Sequence, residues 1–267
     1  VDNGSVRPVH LIADNYPEVK LIISKENLGF AGGNNLGIDH ATGDYMLFIN
    51  NDTEVEPGFL EPMVELLEKD ETIGMVSPKI KFFYHPDTVQ YAGYSKINPY
   101  TLRMQGYGFN KKDKGQFDEI QETNYAHGCA MMIPRKVIEN AGKMPELYFL
   151  YYEEHDWSTR IKNAGYKIYF NPNSVVLHKE SISTGKASTL KTYYFTRNRM
   201  LFWRRNIKGI SAYLSFLYLT FIAIPKNFLV FLVSLKFRHL NAFCKAVLWH
   251  LKTAHKKFKI KDEVILV

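Results

Sequence analysis

Cysteine is nearly absent, with only Cys129 and Cys244 in 267 residues. Two thiols without metal-ligand spacing exclude a zinc finger or a disulfide-stapled secreted fold, and suit buried cysteines in a reducing compartment. No secretory signal peptide is visible at the start, and there is no internal repeat or low-complexity segment. Acidic residues are scarce at one end. Residues 186–267 carry 16 Lys+Arg against 2 Asp+Glu, while 1–185 carry 18 against 25, so a body of −7 is joined to a tail of +14. Because the tail's charges flank long apolar stretches, they favour a membrane surface, and nucleic acid is not an expected partner.

What is present fits one α/β domain with an appendage, since 267 residues with 46% apolar content can bury one core but hardly two. Periodicity and turn residues predict helices over 6–15 and 31–41, strands over 19–24 and 45–49, and a helix opened by Pro57 and running to 69. Short β-like runs follow at 75–83 and 89–94, then an insertion-like loop rich in Gly, Lys and Asp at 106–118. A buried strand at 126–133, a short helix at 137–141, strands at 166–170 and 174–178, and a helix from about residue 187 complete the body.

Two clusters are candidates for chemistry. Glu153-Glu154-His155-Asp156 puts three carboxylates and a histidine at the start of a predicted helix ending near Ala164-Gly165. The apolar run 45–49 stops at Asn50-Asn51-Asp52, and ligands of α/β sheets collect at the carboxyl ends of strands. Taken singly, each has an ordinary explanation. Asn and Asp after a strand are common turn residues, and acids at a helix start are common dipole partners. His178 alone reads as a satisfied strand histidine, and Arg197 as part of a solvated helix face.

The combination and order of several words change that reading. Asp2-Asn3-Gly4-Ser5, Asn27-Leu28-Gly29-Phe30-Ala31-Gly32-Gly33-Asn34-Asn35-Leu36-Gly37, Phe48-Ile49-Asn50-Asn51-Asp52, Gly128-Cys129-Ala130-Met131, Glu153-Glu154-His155-Asp156 and Arg197-Asn198 occur in the chain in that order. Over about residues 1–205 the chain resembles family 2 glycosyltransferases, in particular those of rhamnosyltransferase type. The resemblance implies a GT-A fold, a mixed α/β sheet flanked by helices, followed in this chain by a helical tail at 206–267. It also implies inverting transfer from a nucleotide-diphosphate sugar. The opening residues read as the end of a buried strand, so the resemblance further implies that the first strand and helix of that fold lie upstream.

Roles carried over from the resemblance are expectations. Asp2 reads the nucleotide base; the loop from Asn27 to Asn35, which holds Gly33 and Asn34 and precedes a helix, approaches the donor phosphates; Asn50 and Asn51 lie along the donor, and Arg197 contacts a donor or an acceptor phosphate. Asp52, completed by His178, holds Mg²⁺ or Mn²⁺ against the diphosphate, although Asn50 and Asn51 replace acids found elsewhere in the family and lower the local charge. Glu154 replaces an aspartate of the family and takes the proton from the acceptor hydroxyl, with its pKa raised by a neighbouring carboxylate. Glu153 and Asp156 orient it or touch the acceptor. A retaining route stays open in principle, as do a nucleotidylyltransferase and a non-catalytic scaffold.

The tail bears on location. The uncharged run 209–225 is 17 residues long, at the short limit for a spanning helix, and ends in proline. Lys and Arg flank both sides, which disfavours a single crossing. The expectation is in-plane helices or a shallow hairpin on the cytoplasmic leaflet, near a glycan or lipid-linked acceptor. A soluble helical pack or a homo-oligomer interface is the alternative.

Overall fold

Alternation along the strands fixes how the layers stack. In the strand Ala130–Pro134, Met131 and Ile133 enter one core, and Ala130 and Met132 enter another on the opposite face, as the period of two requires. The computed structural model describes residues 1–6, 9–179, 188–256 and 258. It opens with a parallel pair, β1 (Asp2–Asn3) and β2 (Ile23–Ser24), separated by α1 (His10–Asn15) and followed by α2 (Gly29–His40).

The main sheet contains β3 (Tyr45–Ile49), β4 (Thr53–Val55), β5 (Ile73–Phe82), β6 (His85–Tyr91), β7 (Lys111–Lys112), β8 (Gln121–Glu122), β9 (Ala130–Pro134) and β10 (Lys167–His178). Its central order is β3-β9-β5-β10-β4, with β6 on β5, β7 on β6 and β8 on β10. Among the described residues β5 and β10 pair in parallel, and the other pairs of this sheet are antiparallel.

Helix α2, with α4 (Arg135–Ala141) and α5 (Glu153–Asn163), buries Ala31, Val137, Trp157 and Ile161 against one face. Helix α3 (Glu61–Lys69) buries Met63 and Leu67 against the other. The expected mixed α/β sheet flanked by helices is therefore present.

Several boundaries differ from expectation. Residues 19–22 stay outside β2, and α1 is shorter than the predicted helix, of which residues 7 and 8 lie outside the described residues. The third helix starts at Glu61 with Pro62 in its first turn, and Pro57 precedes it. Residues 53–55, expected to be turn, form β4 because they pair with the end of β10. The two strands predicted at 166–178 are one strand, irregular between Asn171 and Val175. There Asn171 turns its amide onto the Pro62 carbonyl at 2.8 Å.

The tail is a helical hairpin folded against the body. Helix α6 (Thr189–Asn206) starts with a Ser188 cap, whose Oγ accepts from Lys191 N–H at 3.2 Å. Residue 187, the predicted start of this helix, lies outside the described residues. Helices α7 (Gly209–Tyr218) and α8 (Ile224–Val233) are joined by a π-helical turn, Leu219–Ala223. Pro225 has no N–H and would crowd the preceding turn of a regular α-helix; the wider turn accommodates it, and Asn227 Nδ2 donates to the Ala223 carbonyl at 2.6 Å.

Helix α9 (Phe237–Lys252) returns along α6. His250 is buried between them, with Nε2 2.8 Å from the Arg197 carbonyl and Nδ1 3.4 Å from Arg204 Nη1. The first contact needs a proton on Nε2 and the second an acceptor at Nδ1, so the neutral ring fits. Burial, opposed by the Arg197 carbonyl and aided by the two arginine charges, pulls its pKa down to about 4. Below the ordinary value of 6.5 the unfolded chain takes up a proton that the folded chain refuses, so stability falls as the pH drops from there through about 4. Urea unfolding followed by Trp249, whose ring lies 4.8 Å from His250, should show this loss, and His250→Asn should flatten it.

Candidate active site

The end of β3 is held in place by its neighbour and by its own turn. Asn50 N–H donates to the Cys129 carbonyl at 2.9 Å, and Thr53 Oγ1 donates to the Asn50 carbonyl at 2.6 Å. The next register is set by β4 against β10, where Thr53 lies opposite His178. This brings Asp52 Oδ1 to 3.3 Å from His178 Nε2. Gln90, from β6, places its Oε1 2.8 Å from His178 Nδ1, which holds the ring proton on Nδ1 and aims Nε2 at the carboxylate.

The acidic helix is positioned by an unusual approach. Phe149, Tyr151 and Tyr152 have φ of 63°, 68° and 78°, a left-handed backbone that costs a side-chain-bearing residue roughly 1–2 kcal/mol each. Arg197 and Asn198 compensate by binding the carbonyls this path leaves over. Arg197 Nη2 donates to Leu147 and Tyr148, both at 2.8 Å. Asn198 Nδ2 reaches Tyr148, Leu150 and Tyr151 at 3.0, 2.7 and 2.7 Å. Phe30 N–H takes the Phe149 carbonyl at 2.7 Å. Gly29, at φ 74°, is needed here because a Cβ would lie 2.4 Å from that same carbonyl. Arg197, expected at a donor or acceptor phosphate, here donates through Nη2 to the carbonyls that lead into α5.

The three carboxylates of α5 have different fates. Asp156 is buried and accepts from Tyr148 Oη and Arg205 Nε, each at 2.7 Å, and from Asn206 at 3.2 Å; it anchors α5 to α6. Glu153 is pushed well above the ordinary carboxylate range by burial and by the charge of Glu154. Burial also raises Glu154, but the adjacent His155, with Nδ1 3.1 Å from Oε1, brings it below its ordinary value. The neighbouring carboxylate therefore raises Glu153, whereas the sequence suggested that it would raise Glu154.

Two side chains unforeseen in the sequence complete the cluster. His127 accepts from Cys129 N–H at Nδ1, 3.1 Å, and its ring lies 6.3 Å from that of His178. Burial, reinforced by the charge of His178 and opposed by that of Glu154, lowers its pKa to about 4. Tyr94 stacks on His127 at 6.2 Å, and its hydroxyl is raised by burial and then by Glu154. His127 directly precedes Gly128-Cys129-Ala130-Met131, which was the available signal; Tyr94 and Gln90 gave none. At Gly128 an added Cβ would lie 3.7 Å from both the Glu154 carboxyl carbon and the Phe30 ring, so the N-terminus of α2 borders this cluster too.

The remaining expected residues lie around that helix end. Asn27 Oδ1 accepts from Gly29 N–H at 2.9 Å and from Asn3 Nδ2 at 3.3 Å, and Asn3 also holds Leu28 N–H and the Gly29 carbonyl. Asp2 Oδ1 accepts from Ser5 N–H at 3.1 Å. A Cβ on Gly33 would lie 3.0 Å from the Asn3 amide, and Asn34 Nδ2 bonds back to the Phe30 carbonyl at 2.8 Å. Gly33 and Asn34 lie within α2 and not in a loop before it. Asn35, not singled out from the sequence, bonds Met144 and Glu146. Asn50 and Asn51 flank Asp52 in the turn.

A family model described as glycosyl transferase family 2 matches residues 1–142. The chain belongs to that family. This family 2 glycosyltransferase is 26% identical over 222 residues to the low-salt glycan biosynthesis hexosyltransferase Agl10 of Haloferax volcanii, covering 75% of the chain and 65% of the relative. It is 23% identical over 232 residues to an N-acetylglucosaminyl-diphospho-decaprenol L-rhamnosyltransferase of Mycobacterium tuberculosis, covering 76% and 75%. The amylovoran biosynthesis glycosyltransferase AmsB of Erwinia amylovora is 26% identical over 155 residues, with 56% and 46% covered.

Among solved structures, GalNAc-T7 with UDP, GalNAc and Mn²⁺ aligns with a TM-score of 0.57 at 17% identity, over 75% of this chain and 41% of that one. The mannosyltransferase PcManGT of Pyrobaculum calidifontis, in complex with GDP-Man and Mn²⁺, gives 0.50 at 16%, over 91% and 61%. Both likenesses support the GT-A fold.

Proposed function

We propose that this glycosyltransferase moves a hexose from a nucleoside-diphosphate donor to a hydroxyl of a glycan or lipid-linked acceptor, with inversion at the anomeric carbon. The observation that carries the proposal is the union of Asp52, His178, His127 and Glu154 in one cluster built from the ends of β3 and β10, the segment before β9 and the start of α5. The names of the relatives favour assembly of cell-surface glycan, with rhamnose from dTDP-rhamnose as one donor to test. A catalytic part over about 1–205 and a tail over 206–267 that lies on the cytoplasmic leaflet complete the reading.

A divalent cation fits the pair Asp52 and His178. Their 3.3 Å separation is close to the spacing of about 3 Å between neighbouring ligands of an octahedral ion with bonds of about 2.1 Å, and Gln90 orients the imidazole. No third His, Cys, Asp or Glu joins them among the described residues. Mg²⁺ or Mn²⁺ would therefore take its remaining ligands from water and the donor diphosphate, and would neutralise charge on that leaving group. The chain's own residues do the rest. Glu154 accepts the acceptor proton, Glu153, whose ionised form burial disfavours, limits repulsion beside it, and the Arg197-Asn198 clamp holds both at the head of α5. The α2 N-terminus, bordered by Asn27 and Asn34, suits the donor phosphates.

The experiment is thermal unfolding with UDP, dTDP or GDP, each with and without Mn²⁺. One nucleotide is expected to raise the midpoint only with metal, and Asp52→Asn to abolish the shift. A shift that is independent of metal and survives Asp52→Asn would contradict the assignment.

A further inference from the structure

Deepening the proposed function, the geometry points to the cleft between α6, the segment 97–104 and the π-helical turn as the site that takes an acceptor lipid, an apolar chain bearing a diphosphate. The cavity measures about 410 Å³, within the range of roughly 300–1,000 Å³ usual for small-ligand sites. Leu102 and Met104 form one wall, Phe195 and Met200 a second, and Ala223 and Phe231 the third.

Its charged lining is of one sign. Arg103 and Arg199 face it and, among the described residues, no carboxylate does. Arg199 spends one Nη2 contact on the Thr101 carbonyl, while its Nε is buried without a hydrogen-bond partner among the described residues. A buried guanidinium N–H left over in this way costs free energy until an anion takes it. A phosphate-type head group supplies that anion, and an uncharged glycan does not.

Two connections suit a lipid rather than a soluble anion. Leu219, Ala223 and Phe231 belong to Gly209–Val233, a 25-residue helical run long and apolar enough to cross a membrane, which exposes Phe221, Ile222 and Leu229 to solvent. The same run can lie in the interface, so that a chain passes from the bilayer directly into the cleft. At the other side the cleft reaches Tyr152, the residue before Glu153-Glu154, whose hydroxyl senses both Arg199 and Glu154. The head group would thus lie between the membrane-facing tail and the base.

The test is calorimetric binding to the full chain in an uncharged detergent with EDTA present, using farnesyl diphosphate, farnesol and inorganic pyrophosphate as probes. Farnesyl diphosphate is expected to bind at least tenfold more tightly than either other probe. Arg199→Gln should weaken it at least tenfold, Thr196→Trp should fill the cleft and abolish it, and Arg199→Lys should recover part of the loss. Unchanged binding in both Arg199→Gln and Thr196→Trp would overturn the assignment, as would equal affinity for pyrophosphate or for farnesol.

Metal-dependent stabilisation by nucleotide, measured on the same variants, separates the two readings and checks folding. Its retention alongside lost farnesyl diphosphate binding supports the cleft. Its absence from the wild type, with cleft-dependent binding intact, would sink the donor reading and leave the lipid site standing.

Discussion

Glu154→Gln should lower kcat about 10³-fold with little change in donor affinity, because the amide keeps the shape of the side chain and removes its ability to take a proton. Two environments a residue apart carry this expectation. Glu153 is held above the usual carboxylate range by burial and by Glu154; Glu154, though burial opposes it, is held below that range by His155. Burial and the charge of Glu154 thus disfavour the ionised form of Glu153, while His155 favours that of Glu154, the form an acceptor hydroxyl needs to lose its proton to. The acid limb of kcat should accordingly fall below the ordinary glutamate value of 4.5. Steady-state rates across pH for wild type, Glu154→Gln and Glu154→Asp would show this, and a Gln variant within tenfold of wild type would remove Glu154 as the base.

Asp156→Ala should act on folding first. Asp156 accepts from Tyr148 Oη, Arg205 Nε and Asn206 Nδ2 at 2.7, 2.7 and 3.2 Å. Its side chain is 1% exposed and that of Arg205 2%. Removing the carboxylate breaks a buried ion pair, which costs about 3–5 kcal/mol in comparable pairs. Urea unfolding should report a loss of that size, accompanied by reduced activity from a displaced α5. A loss under about 1 kcal/mol would mean that Asp156 is not the anchor between α5 and α6, and would return it to the acceptor side as the sequence suggested.

The sequence resolved features governed by local chemistry. The apolar run of β3 and the abrupt stop before Asp52 were legible, as was the start of α5 at Glu153, because hydrophobic periodicity and charge at a helix N-terminus act over a few residues. What was hidden depends on pairing across the chain. Residues 53–55 look like turn until β10 gives them a partner, and the proximity of His178 and Asp52 follows from that register. Gln90 and Tyr94 carry no local mark, since their place in the cluster is set by β6 and the segment after it. Arg197 illustrates the converse: its word is legible, but which groups its guanidinium meets depends on the backbone path through Phe149, Tyr151 and Tyr152, where φ is positive.

The tail shows the same division. Its apolar run and flanking charges were plain, and Pro225 suggested an end. Instead the π-helical turn absorbs the proline, and helix continues from Gly209 to Val233. The return of α9 onto α6 rests on His239, His250 and Arg204 meeting partners about fifty residues away, a pairing without a local pattern.

The most direct measurement is the anomeric configuration of the sugar in the product, read by proton NMR from a transfer reaction with the nucleotide sugar whose base gives the thermal shift. A single base that deprotonates the acceptor for direct displacement predicts inversion, with the nucleoside diphosphate released in equal amount. Retention of configuration would require a second displacement, and would contradict the role of Glu154 as the base of a single-step transfer.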